Sequence, residues 1–257
     1  MRSAAAEDAP ILQARKLCRQ FSGFYAVKDV DLAVRRHSVH ALIGPNGAGK
    51  TTCFNLLTTF LTPSSGQVLF NGRDISRSDP ASVATSGLVR SFQISAVFGQ
   101  MTVLENVRVA LQRKRGGTFA FWRSVASLSS LNEPAMALLE RVGLTRWRNT
   151  RAGELPYGRK RALELATTIA LEPEMILLDE PMAGLGHEDI GPVVELIRDV
   201  AKGRTVLMVE HNMRVISELC ERVTVLQAGQ VLAEGSYDEV SRDARVIEAY
   251  VGGAGHA

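Results

Sequence analysis

His40-Ala41-Leu42-Ile43 runs without a break into Gly44-Pro45-Asn46-Gly47-Ala48-Gly49-Lys50-Thr51-Thr52, and the reading of this stretch decides the fold. The first four residues are a compact run of the kind that forms a buried strand. Beyond the glycines, Phe54, Leu57, Thr58 and Leu61 fall at helical spacing, which predicts a helix over Thr51 to Leu61. The turn between them satisfies G-x-x-x-x-G-K-[ST] in full. Gly44, Gly47 and Gly49 let backbone N–H groups curl around a phosphate without Cβ clashes, making an anion nest at a helix N-terminus. Lys50 would set its ammonium on the β- and γ-phosphates of ATP, and the Thr51 hydroxyl would ligate Mg²⁺. Pro45, Asn46, Ala48 and Thr52 complete the candidate phosphate-contacting set.

Such a site needs a second half, an acidic residue at the end of a buried strand. Met175-Ile176-Leu177-Leu178-Asp179-Glu180 supplies one. Asp179 would hold Mg²⁺, and Glu180, one residue further on, would polarise an attacking water as general base. Two adjacent carboxylates could instead be a solvated cap; the four apolar residues before them and Pro181 after them favour the site.

Working outward, Ile11 to Val34 mixes apolar alternation with Gly23 and predicts strands joined by turns. Val30, Leu32 and Val34 alternate there with Asp31, Ala33 and Arg35. Gln67 to Phe70 followed by Asn71-Gly72 predicts a strand and a tight turn. From Val103 the texture changes: Leu104 to Leu111, Glu133 to Val142 and Arg159 to Leu171 are patterned as amphipathic helices of an insert. Thr205 to Val209 and Arg222 to Leu226 are again apolar strands, with helices over Ile190 to Ala201 and Met213 to Glu221. Strands apolar on both faces that alternate with helices predict an α/β fold whose parallel sheet is covered on both sides.

Composition fits one large domain. The chain has 257 residues, 46% hydrophobic and 22% charged, with a net charge of +3, too small to point to nucleic acid. Cys18, Cys53 and Cys220 form neither a CxxC pair nor a disulfide framework, so a reducing compartment is expected. Met1 to Pro10 lacks the apolar core of a secretory signal, and no apolar run approaches the ~20 residues of a spanning helix. His37, His40, His187 and His256 form no metal-ligand cluster.

With these features in place, the chain resembles the ATP-binding cassette (ABC) ATPases over nearly its whole length. Gln93, in Arg90-Ser91-Phe92-Gln93, is similar to the Q-loop glutamine that senses Mg²⁺ and the membrane partner. Leu155-Pro156-Tyr157-Gly158-Arg159 occupies the place of the LSGGQ signature. Ala183-Gly184-Leu185-Gly186 resembles the D-loop, and His211 the switch histidine that contacts the γ-phosphate. Phe21 lies where the family places an aromatic to stack on adenine, with Phe24 and Tyr25 nearby. The resemblance implies a P-loop NTPase (RecA-like) core with an N-terminal antiparallel β subdomain and a helical insert subdomain. It implies one ATPase domain over 1–257, with 1–90 and 166–257 as core and β subdomain and 91–165 as the helical signature subdomain.

The signature departs from the pattern. Pro156 replaces the serine and has neither hydroxyl nor backbone N–H, Tyr157 replaces the first glycine, and Arg159 replaces the glutamine. Two readings stand: this half-site is weakened, or the helix N-terminus, Gly158 and Arg159 replace the lost donors. Leu-x-Tyr-Gly and the tail Val246 to Gly252 resemble the ATPase subunits of importers for branched-chain and other hydrophobic amino acids. That implies transmembrane permease subunits, a second ABC ATPase subunit and, indirectly, a solute-binding protein as partners, at the cytoplasmic face of the inner membrane. The ATPase subunit of an importer for urea, short amides or another small polar solute stands as the alternative. A soluble ABC ATPase acting on nucleic acid or ribosomes would be expected to carry tandem cassettes, zinc modules or basic arms, and a small-molecule kinase would lack the signature and D-loop segments.

Overall fold

The computed structural model describes residues 9–91, 97–114 and 130–252. Contacts group the chain into two units: Met1–Val89 with Glu174–Pro181 and Ala201–Ala257, and Arg90–Pro173 with Met182–Val200.

The first unit holds two sheets. In one, β1 (Leu12–Phe21), β2 (Phe24–Val34), β4 (Ser65–Phe70) and β5 (Arg73–Asp74) pair antiparallel in the order β2-β1-β4-β5. Ser22 and Gly23, both at positive φ, close the β1–β2 hairpin with the left-handed turn that matches strand twist. Val30, Leu32 and Val34 are buried while Asp31, Ala33 and Arg35 are exposed, as the alternation predicts. In the other sheet the order is β10 (Gln230–Gly235), β9 (Arg222–Gln227), β3 (Val39–Ile43), β8 (Thr205–Val209), β7 (Met175–Asp179) and β6 (Leu88–Ser91). The run β9-β3-β8-β7 is parallel, and every residue of β3 and β8 is buried, so this sheet is covered on both faces. Leu42, Phe54, Leu57, Leu17, Val27 and Leu207 belong to one buried cluster shared by both sheets and α1 (Lys50–Leu57).

Two local expectations are corrected. Helix α1 stops at Leu57 rather than Leu61: Thr58 turns its hydroxyl back onto the Phe54 carbonyl at 2.7 Å, and Thr59 enters the left-handed region at φ 60°. Strand β10, which the parallel pattern does not predict, returns antiparallel from β9 through Ala228 and Gly229, both at positive φ. Further short helices are α2 (Pro80–Thr85), capped by Asp79, α7 (Met213–Leu219), α8 (Tyr237–Arg242), which opens with a Ser236/Glu239 capping box, and α9 (Ala244–Gly252).

The second unit is helical: α3 (Val103–Lys114), α4 (Asn132–Arg141), α5 (Tyr157–Ile169) and α6 (His187–Ala201). The Arg141 guanidinium ties α4 to α6 through the Asp199 carboxylate at 2.5 Å and the Asp199 carbonyl at 2.9 Å. Ser91 donates to Glu164 of α5 at 2.6 Å, and Arg161 pairs with the same carboxylate at 2.5 Å, all three side chains buried.

Register sets up the site. Leu42 of β3 and Asp179 of β7 both align with Val209 of β8, so the carboxyl ends of β3 and β7 lie level, two strand spacings or roughly 9–10 Å apart. That edge is where open α/β sheets hold their ligands.

Candidate functional site

Residues 44–49 leave β3 and turn into α1 along a path only glycine can take at two points. Gly44 sits at φ 151°, and a Cβ there would run into the Leu226 carbonyl oxygen. Gly49, at φ 95°, caps α1 and faces the Ala26 carbonyl in the same way. The loop is sutured to its surroundings by Gly229 N–H donating to the Ala48 carbonyl at 3.0 Å, and by Lys28 N–H donating to the Gly229 carbonyl at 2.8 Å. Hairpin β9–β10 is thus a wall of the loop. Lys50, only 7% exposed, donates from Nζ to the carbonyls of Gly44 at 2.8 Å and Pro45 at 2.9 Å, which places its ammonium inside the loop's curve. Burial lowers its pKa, and the Glu180 carboxylate nearby opposes that shift. Thr51 is exposed in the first turn and Thr52 half-buried.

At the end of β7, Asp179 is half-buried and Glu180 breaks from the strand at φ 45° while its N–H still donates to the Val209 carbonyl at 2.9 Å. A left-handed glutamate is a strained backbone, held here by the ladder to β8. His211, two residues past Val209, brings Nε2 to 2.9 Å from Glu180 Oε1. Behind it, the buried Glu210 carboxylate accepts from the backbone N–H groups of His211 at 2.8 Å and Asn212 at 3.0 Å, and Asn212 caps α7. Glu210 is a residue whose part in the site sequence reasoning missed; its only signal was standing beside His211.

The three aromatics Phe21, Phe24 and Tyr25 are all exposed, so none is core. Phe21, 43% exposed, carries the Arg19 guanidinium 4.6 Å from its ring centre. Helix α9 reaches the outer side of the loop. A cavity of about 670 Å³ is lined by Asn46, Gly47 and Ala48 on one side and by Arg245, Glu248 and Ala249 on the other. The Gly44 amide lies beside the Tyr250 hydroxyl.

The signature segment lies in the second unit. Pro156 is the N-cap of α5, and its carbonyl accepts from Arg159 and Lys160 N–H, each at 3.0 Å. Gly158 is buried with the Asp189 carboxylate against it, Arg159 is half-buried, and the Tyr157 hydroxyl donates to the Ala183 carbonyl at 2.9 Å beside Gly184. Gln93 lies outside the described residues. So the structure brings together the loop, Asp179, Glu180 and His211 in one unit, and Pro156 to Arg159 with Gly184 in the other.

The family described as ABC transporter matches residues 27–183. The chain belongs to the ABC transporter family. As a cassette of that family it is a nucleotide-binding ATPase, and a second family description, branched-chain amino acid ATP-binding cassette transporter, matches residues 230–256, covering β10, α8 and α9. The cassette is 37% identical to the high-affinity branched-chain amino acid transport ATP-binding protein LivG of Salmonella typhimurium, over 95% of this chain and 99% of that protein. It is 37% identical to BraF of Pseudomonas aeruginosa, which bears the same description, with the same coverage. Among solved structures, it matches the ADP conformation of an ATP-binding cassette of an ABC transporter with TM-score 0.81 and 29% identity, over 95% of this chain and 99% of that one. A nucleotide-free ATP-binding cassette from an ABC transporter gives the same TM-score and identity. The expected P-loop NTPase fold is therefore the fold of the cassette. Among the described residues no helix is long and apolar enough to cross a membrane.

Proposed function

We propose that this cassette hydrolyses ATP at the 44–52 loop to power an importer of branched-chain or other hydrophobic amino acids. It would do so as a single ATPase domain paired with a second cassette and docked on permease subunits. The reading places it peripherally on the cytoplasmic face of the inner membrane, with a solute-binding protein acting on the far side. The observation that carries the chemistry is the Glu180–His211 hydrogen bond at the sheet edge that holds the glycine-rich loop.

In this reading the backbone N–H groups of Gly47 to Lys50 cradle the phosphates and the Lys50 ammonium moves from the loop carbonyls onto phosphate oxygens. Glu180 polarises the attacking water, while His211 holds that carboxylate in place and faces the γ-phosphate. Phe21 stacks on the adenine. The donor set also fits Mg²⁺: Thr51 offers an exposed hydroxyl and Asp179 a half-buried carboxylate, and no group of three or more His, Cys, Asp or Glu is found among the described residues. That matches an ion that takes one or two protein oxygens and fills the rest with phosphate and water. When bound, Mg²⁺ would neutralise charge on the β- and γ-oxygens. Gln93 is assigned to the same ion and to the permease contact. Pro156 to Arg159 and Gly184 would face the nucleotide of the second cassette. The Asp189 carboxylate against Gly158 sets an acceptor beside the expected donors, which supports the reading of an unequal half-site.

The test is capture of the membrane complex through a tag on this chain, followed by hydrolysis in vesicles with its binding protein. Stimulation by leucine, isoleucine or valine is the expected result, with urea and short amides as contrast. Companions that include no permease, or stimulation by amides alone, would overturn the assignment of partner or solute respectively.

A further inference from the structure

Tyr157 stands where the family pattern has a glycine, and a side chain there needs somewhere to go. It is 43% exposed, yet its hydroxyl is not free: it donates to the Ala183 carbonyl at 2.9 Å. The ring and hydroxyl lie so close to Gly184 that a Cβ at that position would come within 2.9 Å of the hydroxyl oxygen and 3.0 Å of the ring. Gly184 itself is left-handed at φ 75°. One residue along, Gly158 is buried against Asp189, whose carboxylate would stand 2.5–2.8 Å from a Cβ added there. Asp189 in turn is placed by its own N–H, which donates to the Gly186 carbonyl at 3.0 Å. Residues 157–158 are therefore stapled at two points to residues 183–189, entirely within the helical unit.

The hydroxyl contact has a directional effect. In a trans peptide the carbonyl and the following N–H point opposite ways, so a donor that fixes the Ala183 carbonyl also fixes where the Gly184 N–H is aimed. A donor to a carbonyl on one side presents the amide to the other. We infer that Tyr157 is a positioning residue rather than a nucleotide contact: it is the strut that sets the Ala183–Gly184 peptide, so that the signature and D-loop segments are offered as one surface. A tyrosine is suited to this. It spans the gap with only two side-chain torsions to fix, and it restores at the D-loop some of the order that Pro156, without hydroxyl or N–H, cannot supply at the signature. The inference rests on the reading that these two segments face the second cassette's ATP, but its geometric half can be tested without that reading.

The experiment is amide hydrogen exchange on the full chain, native against Tyr157→Phe and Tyr157→Gly. Exchange over residues 183–186 should rise about five-fold in Tyr157→Phe, the shift one neutral hydrogen bond commands, while residues 190–201 of α6 keep their rates. Unchanged exchange over 183–186 overturns the strut outright. In the assembled transporter Tyr157→Phe should lower kcat for ATP hydrolysis several-fold with KM for ATP unchanged. A raised KM at constant kcat identifies a direct nucleotide contact, and an unaltered kcat denies the positioning role; either overturns the inference. Tyr157→Gly, which restores the family's residue type, should be no better than Tyr157→Phe, and recovery by glycine also counts against the strut. If the native transporter shows no ATP hydrolysis, it is the transport reading that fails, and the exchange result still decides the strut.

Discussion

Glu180 combines three features: a left-handed backbone, a carboxylate hydrogen-bonded to His211 Nε2 as acceptor, and enough proximity to Lys50 to oppose the lowering of the lysine's pKa. Each has a different dependence on the carboxylate charge. Glutamine keeps the length and an oxygen for His211 but cannot take a proton from water. Glu180→Gln should therefore bind ATP at native affinity while turnover falls by about 10²–10⁴-fold, the range for loss of a general base. Equilibrium binding beside a phosphate-release assay separates the two, and undiminished hydrolysis would remove Glu180 from its role. The adjacent Asp179 was readable from the strand that precedes it, as was Lys50 from its loop. The strain at Glu180 was not: nothing in Asp179-Glu180-Pro181 announces a positive φ, because β8 imposes it through the Val209 carbonyl.

Between elements, the Ser91–Glu164–Arg161 cluster joins the end of β6 to α5 in the buried interior of the helical unit. Glu164 is 1% exposed; burial raises its pKa, opposed by Arg161 and by the Ser91 hydroxyl. A buried charge that loses its partner costs more than the pair is worth. Arg161→Met should thus destabilise by about 3 kcal/mol, and Arg161→Met with Glu164→Leu should recover a good part of that, both read from urea unfolding midpoints. A double variant no better than the single would show that Arg161 acts by packing alone. Sequence periodicity found α5 and put Arg161 and Glu164 on it, as members of an amphipathic pattern. The bond from Ser91 to Glu164, 73 residues away, is a tertiary fact with no local signature. The same holds for Tyr157 and Ala183. Helices α3 to α6 were legible to within a few residues, whereas β10 was not. Its turn uses Ala228 at φ 46°, where a sequence reader looks for Asn or Gly, and only its last residue is fully buried.

At the scale of the whole molecule, stability should depend on pH through a residue that takes no part in the chemistry. His40 on β3 is buried, bonded through Nε2 to the Thr224 hydroxyl at 2.8 Å, with no partner for Nδ1 among the described residues. Burial pushes its pKa down to about 4, Arg222 adds to the effect and Glu234 opposes it. The unfolded chain then takes up a proton near pH 6.5 that the folded chain refuses until about 4, so stability is full above 6.5 and falls with pH across that window. The loss should reach about 2 kcal/mol between pH 6.5 and 5. Glu164 works in the opposite sense: its raised pKa makes the folded state bind its proton more readily, and stability from that group is lost as pH rises. Urea midpoints from pH 7.5 to 5 should slope downward in the native chain and flatten in His40→Gln, whose amide keeps a hydrogen-bonding group for Thr224. A slope that survives that substitution would assign the acid sensitivity elsewhere.

The backbone at position 180 also bears on how such a chain would drift. Glycine occupies φ 45° at no steric cost, whereas a glutamate there gives up about 1 kcal/mol. Glu180→Gly would relieve that strain, at the cost of glycine's greater chain entropy and the His211 hydrogen bond, and would remove the general base in the same step. A cassette with glycine at this strand end and the loop at 44–51 intact is expected to bind nucleotide without hydrolysing it.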